Sequence, residues 1–183
     1  MSKSLSLLAC AAWAGTLIGC SRAPVVVPVD SLKFPVVLIT GTRPTLAVAH
    51  IARVVVDKED LSRMRSELYS GLSDTTATDP PIVIDAAANL ADMTQIKGEH
   101  GGLWMMTHPT GMMPITFTLI QRKQTGVEAA RALIADCEYI GPDLDKERRQ
   151  LRSERIRRAA SMAQIVAIVD EMPGSVDEAA SRK

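Results

Sequence analysis

Apolar, β-branched runs too short to be helices recur along this chain, each closed by a turn-forming or charged residue. That pattern restricts the fold more than any other feature. Residues 35–41 read PVVLITG, bounded by proline and glycine, and have the length of a buried strand. After the turn-like TRPT, residues 46–57 (LAVAHIARVVVD) are rich in β-branched side chains and partly alternate, so a second strand follows. Residues 82–98 open with a third, IVID. Their alanine-rich middle, residues 85–95, reads equally as a short helix or as continued strand.

Helical spacing appears elsewhere. Leu61, Met64 and Leu68 recur at i, i+3 and i+7 within KEDLSRMRSELYSGL, with Asp57 or Asp60 as cap and Gly71 as terminator. Val127, Ala130, Ile134 and Cys137 share one face of VEAARALIADC. Residues 144–172 begin strongly helical and stop before Pro173, although their stretch QIVAIVD, residues 164–170, also suits a strand. Hydrophobic residues make up 46% of the 183, enough for a buried core, and aromatics at 3% make that core aliphatic. The expected architecture is one α+β domain over residues 35–172. It has a small, mainly antiparallel sheet, two or three helices with the C-terminal helix basic, and a flexible tail at 173–183.

The N-terminus, MSKSLSLLACAAWAGTLIGCSRAP, belongs to no such domain. Lys3 gives a short positive start, and residues 5–18 are uncharged and mostly apolar. These 14 residues fall short of the roughly 20 that span a bilayer and match the core of a secretory signal. Leu17-Ile18-Gly19-Cys20 resembles the lipobox of bacterial lipoproteins. The resemblance implies a signal peptide at 1–19, diacylation of Cys20 with fatty acids such as palmitate, and a lipid-anchored protein. An aspartate after the cysteine typically holds such proteins in the inner membrane, so Ser21 implies the outer membrane, facing the periplasm. Residues 20–34 are then expected to be a lipidated, extended tether, from which residues 25–27 can dock on a sheet edge. Processing leaves 20 basic residues against 21 acidic and Cys137 as the one free thiol, so no internal disulfide is expected. The formal net charge of zero removes the electrostatic argument for nucleic acid as a partner.

Residues 101–122 are rich in methionine. His108-Pro109-Thr110-Gly111 is turn chemistry, so LWMMT and MMPITFTLIQ are expected to pair as a hairpin. Near that turn, Met106, His108 and Met112 or Met113 offer thioether and imidazole ligands of the kind that suit Cu(I) or Ag(I). Successive side chains on a strand face opposite ways, so about half of the methionines at most can converge. Methionine also fills aliphatic cores, and packing carries more weight than ligation here. No cofactor is therefore expected beyond the covalent lipid, with Cu(I) as the alternative.

Other polar candidates have plain explanations. Glu99 and His100 lie in a glycine-flanked turn without zinc-site spacing, and His50 lies in an expected strand. Asp57, Glu59 and Asp60 sit where a helix cap belongs, and Cys137 is on an apolar helix face. No nucleophile elbow, SxxK or CxxC motif occurs. The run Lys146–Arg158 carries seven basic and two acidic residues. Arg148, Arg152 and Arg155 share one side of it, a face suited either to solvent or to docking on anionic headgroups or an acidic protein. The expected function is that of a non-enzymatic envelope lipoprotein, a subunit or accessory of a protein assembly. A soft-metal-binding lipoprotein is the alternative, and a hydrolase with a dispersed site is a remote third.

Overall fold

The computed structural model describes residues 23–42, 49–65, 80–98, 112–141 and 146–171. Its strands are β1 (Val26–Val27), β2 (Val36–Thr42), β3 (Ala49–Val55), β4 (Arg63–Arg65), β5 (Ile82–Ile84), β6 (Leu90–Gly98), β7 (Met112–Gln121) and β8 (Tyr139–Ile140). Its α-helices are α1 (Lys58–Leu61), α2 (Val127–Ala135), α3 (Lys146–Arg158) and α4 (Met162–Asp170). The strands form one sheet in the order β1-β7-β6-β5-β2-β3-β8, and β4 also pairs with β7. Every pairing is antiparallel except β3 with β8. The fold is α+β as expected, with a larger sheet.

Alternation along the strands builds two aliphatic cores, one on each face. Val37, Ile39, Ala52, Ile82, Ile84 and Leu90 face α2, α3 and α4, which contribute Ala130, Ile134, Ile156, Ile165 and Val169. The opposite face carries Val36, Leu38, Val55, Val83, Ala91, Met93 and Leu119. It is packed by Leu61 from α1 and by Val29, Leu32 and Phe34 from the N-terminal segment. Each fully buried Val, Leu or Ile contributes about 1.5–3 kcal/mol, so both cores matter to stability. β6 bulges between Thr94 and Lys97, where Gln95 takes a φ of 54°.

Several expectations are revised or resolved. Residues 25–34 are not a free tether. β1 pairs with β7 through Val26–Ile120 and Val27–Leu119, so the domain starts ahead of residue 35 and the edge-docking option holds. The helix expected from Leu61, Met64 and Leu68 is a single turn. Asp57 caps it, accepting from the Asp60 N–H at 2.8 Å, and Leu61 drops into the second core. The chain then pairs as β4 with β7, setting Met64 opposite Met113; ladder hydrogen bonds and burial override a helical spacing that a short segment sustains poorly. Residues 66–79, including Leu68 and Gly71, lie outside the described residues.

The ambiguous stretch at 85–95 is a tight turn followed by strand β6. Residues 144–172 hold two helices rather than one, and QIVAIVD is helical. Ser161 caps α4, accepting from the Gln164 N–H at 3.3 Å, and the Gln164 side chain accepts from the Ala160 N–H at 2.7 Å. The basic helix is therefore α3, while the last helix, α4, is apolar and buries Met162, Ile165, Ile168 and Val169. The expected hairpin is seen in part. β7 forms and its consecutive antiparallel partner is β6, whereas LWMMT lies outside the described residues.

Candidate functional site

A cleft of about 360 Å³ opens where the helices leave one end of the sheet uncovered. Ile39, Gly41, His50 and Ile82 line it from the sheet, and Ala132, Leu133, Asp136 and Cys137 from the end of α2. Gly41 is the cross-strand partner of His50, so the imidazole has no side chain opposite it there. At the rim, the Arg122 Nε donates to Asp92 at 2.6 Å, a pair that is three-quarters buried. Asp136 receives the Arg157 guanidinium at 3.3 Å and is largely exposed. Walls that are mostly aliphatic with a few polar groups at the edge suit a small apolar molecule. Cys137 donates to the Leu133 carbonyl at 3.4 Å, and burial, reinforced by the neighbouring Asp136 charge, pushes its thiol up to about 12. A thiol held protonated at neutral pH is a poor nucleophile.

The second polar constellation joins α3, β8 and the end of α4. Arg152, expected on a docking face, is 2% exposed. Its Nη1 donates to the Ile140 carbonyl at 2.8 Å and its Nη2 to the Glu171 carbonyl. The guanidinium thereby sits at the C-terminal end of α4, where unpaired carbonyls and the negative end of the helix dipole favour a cation. Gly141 makes room for this arrangement. Its φ is +70°, and a Cβ there would lie 2.1 Å from the Val169 carbonyl oxygen and 2.9 Å from Arg152 Nη1.

Arg155 forms a two-pronged ion pair with the Glu171 carboxylate, at 2.5 and 2.6 Å. The face expected to dock is thus partly an internal clamp: Arg152 is removed from solvent, and Arg155 is engaged by Glu171. Of the expected three, Arg148 is half-buried and makes contacts of its own.

Hydrogen bonding to Arg155 holds the Glu171 carboxyl below its ordinary value, with the Arg155 and Arg152 charges adding to the effect against burial. A depressed folded-state value means that the pair stabilises the fold above the ordinary glutamate range and ceases to do so as pH falls through the folded value. Urea midpoints measured between about pH 6 and 3 are therefore expected to fall more steeply for the native chain than for Arg155→Met. Parallel curves would remove this pair from the acid response.

Met113 and Met112 part as adjacent strand residues must. Met113 is 1% exposed, whereas Met112 lies half-buried beside Asp57, Glu59, Asp60 and Arg63. The two cannot ligate one ion together, and Met113 is core. Met106, His108, Glu99, His100 and Cys20 lie outside the described residues. Among the described residues, no three His, Cys, Asp or Glu side chains are grouped to hold a metal ion. The acidic residues at 57, 59 and 60 act locally, through the Asp57 cap and a Glu59–Arg63 pair at 2.6 Å.

Sequence reasoning did not find the cleft or the clamp. Gly41 and His50 meet only once the β2–β3 register is known, and Arg152 reaches partners 12 and 19 residues away. Comparison with protein-family models, with curated proteins and with solved structures finds no match to this chain.

Proposed function

We propose that this chain is a membrane-anchored, periplasm-facing lipoprotein that serves a larger envelope assembly as a non-enzymatic subunit or accessory. The observation that carries the reading is the lipobox-like Leu17-Ile18-Gly19-Cys20 directly ahead of a folded domain. The first strand begins at Val26, so the domain starts almost at the point of acylation. A pair of acyl chains on one cysteine gives firm anchoring, because each buried methylene contributes about 0.8 kcal/mol. Among the described residues, no helix is long and apolar enough to cross a membrane, and the proposed anchor does not need one.

Metabolic labelling with a fatty acid, followed by membrane fractionation, tests the reading. Label is expected on the native chain, which should fractionate with the outer membrane. Cys20→Ser should abolish both labelling and membrane retention. Labelling that survives Cys20→Ser, or a native chain that stays unlabelled and soluble, would overturn it. Cross-linking in cells, with companions identified by mass spectrometry, then tests the assembly: a reproducible set of envelope proteins is expected.

A further inference from the structure

The strand registers gather several segments at one end of the sheet. They are the start of β2 at Val36, the end of β3 at Val55, the 85–89 turn, the end of β7 at Gln121 and the entry to β1. Backbone hydrogen bonds tie this rim together: Gln121 N–H to Val25, Ala86 N–H to Lys33 and Gly126 N–H to Ala88. Large exposed hydrophobic side chains are few. Among the described residues they are Val25 (53% exposed), Val26 (59%), Val56 (61%) and Leu151 (44%). The three valines all lie at this rim, and only Leu151 lies elsewhere, on α3.

The chain also leaves the domain here toward Cys20. Only two residues, Ser21 and Arg22, separate Ala23 from Cys20, a reach of at most about 11 Å. Val56 follows β3 and leads into α1, whose Lys58 is ion-paired with Asp30 of the N-terminal segment, so it lies on the same side of the domain as the exit. Three exposed valines at the end of the sheet from which the chain leaves toward Cys20 fit an apolar surface held against that end. Exposed charges at the rim are of both signs, with Lys33, Lys58 and Lys123 beside Asp30, Asp57, Glu59 and Glu128.

We infer that this end of the sheet rests on the lipid bilayer, strands steeply inclined to it, with Val25, Val26 and Val56 seated among the headgroups. The inference rests on the acylation of Cys20 proposed above and adds the orientation of the domain. The tether holds the rim down and the valines shed water. Because these rim charges carry no excess of positive charge, anionic lipid is not required. The cleft lined by His50 and Gly41, which lies toward the opposite end of β2 and β3, is left facing the periplasm.

The test uses the full mature lipoprotein, purified from membranes and reconstituted in phosphatidylcholine vesicles, with acylation verified by intact mass. Single cysteines, Val56→Cys and Leu151→Cys, are labelled with an environment-sensitive fluorophore; Cys137 is buried and stays unlabelled. The Val56 probe is expected to shift to the blue and brighten several-fold on reconstitution, and to be quenched by spin-labelled lipids. The Leu151 probe should remain as in water. Adding phosphatidylglycerol should change neither.

An acylated protein whose Val56 probe stays wet overturns the orientation and leaves the lipoprotein reading standing. A dry Leu151 probe, or dryness at Val56 that appears only with phosphatidylglycerol, also overturns the orientation. A protein without acyl mass overturns both. A second probe at Lys33 guards against a folding defect at Val56, since it should brighten in the same way.

Discussion

Arg152→Ala is expected to lower the unfolding free energy by about 3–4 kcal/mol, a large share of the roughly 5–15 kcal/mol that holds a domain together. The side chain is 2% exposed, and its deletion acts in three ways. The Ile140 and Glu171 carbonyls lose charged donors, and hydrogen bonds to charged groups contribute about 1.5–3 kcal/mol. The aliphatic stem leaves a void among packed neighbours, and the end of α4 loses the cation that complements its dipole. Arg152→Met should recover part of the loss, because it keeps most of the stem while removing the donors. Arg157→Ala is the control: its pair with Asp136 is exposed and spans 3.3 Å, so a change within about 0.5 kcal/mol is expected. Urea unfolding with a constant slope reads all three. A loss below about 1 kcal/mol at Arg152 would mean that the helices hold the edge strand without the clamp.

The clamp also explains why composition misdirects at this point. A run of seven basic residues looks like a surface, and for Arg157 and Arg158 it is one. Helical spacing groups Arg148, Arg152 and Arg155 correctly but does not reveal what that side faces, because the partners come from β8 and the end of α4. By contrast, residues 36–42 and 127–135 were legible, since a bounded apolar run and a 3.6-residue period each satisfy their local preferences and their burial at once. The break after Arg158 went unread, because Ser161 and Gln164, which cap α4, lie inside a stretch that otherwise continues the helical pattern. β4 was not legible. Its helical spacing is real, and only the distant β7 supplies the pairing that overrides it. Of the candidate site residues, Met113 shows what alternation alone can say: it separates Met113 from Met112 but not which of them enters the core.

The turn between β5 and β6 carries the other large expected effect, since Asp85→Ala should destabilise the fold by about 3 kcal/mol. Asp85 is 1% exposed and acts as an acceptor hub. One carboxylate oxygen accepts from the Ala87 and Asn89 N–H groups, both at 2.9 Å. The other accepts from the Asn89 side-chain amide at 3.0 Å and from the Lys33 N–H at 3.4 Å. Together these bonds hold Ala88 at a φ of 61°, a left-handed conformation that alanine adopts only when its surroundings impose it. An alanine-rich stretch that reads as helix or strand is thereby turned back on itself by one aspartate. Removing the carboxylate takes the shared acceptor from four part-buried donors and frees the strained residue. Asp85→Asn retains one acceptor and should lose less than Asp85→Ala. Ala88→Gly, which relieves the strain, should stabilise the native chain and restore part of what Asp85→Ala loses, by about 0.5–1 kcal/mol at most. Equal urea midpoints for Asp85→Ala and the native chain would show that the β5–β6 ladder, not the carboxylate, sets this turn.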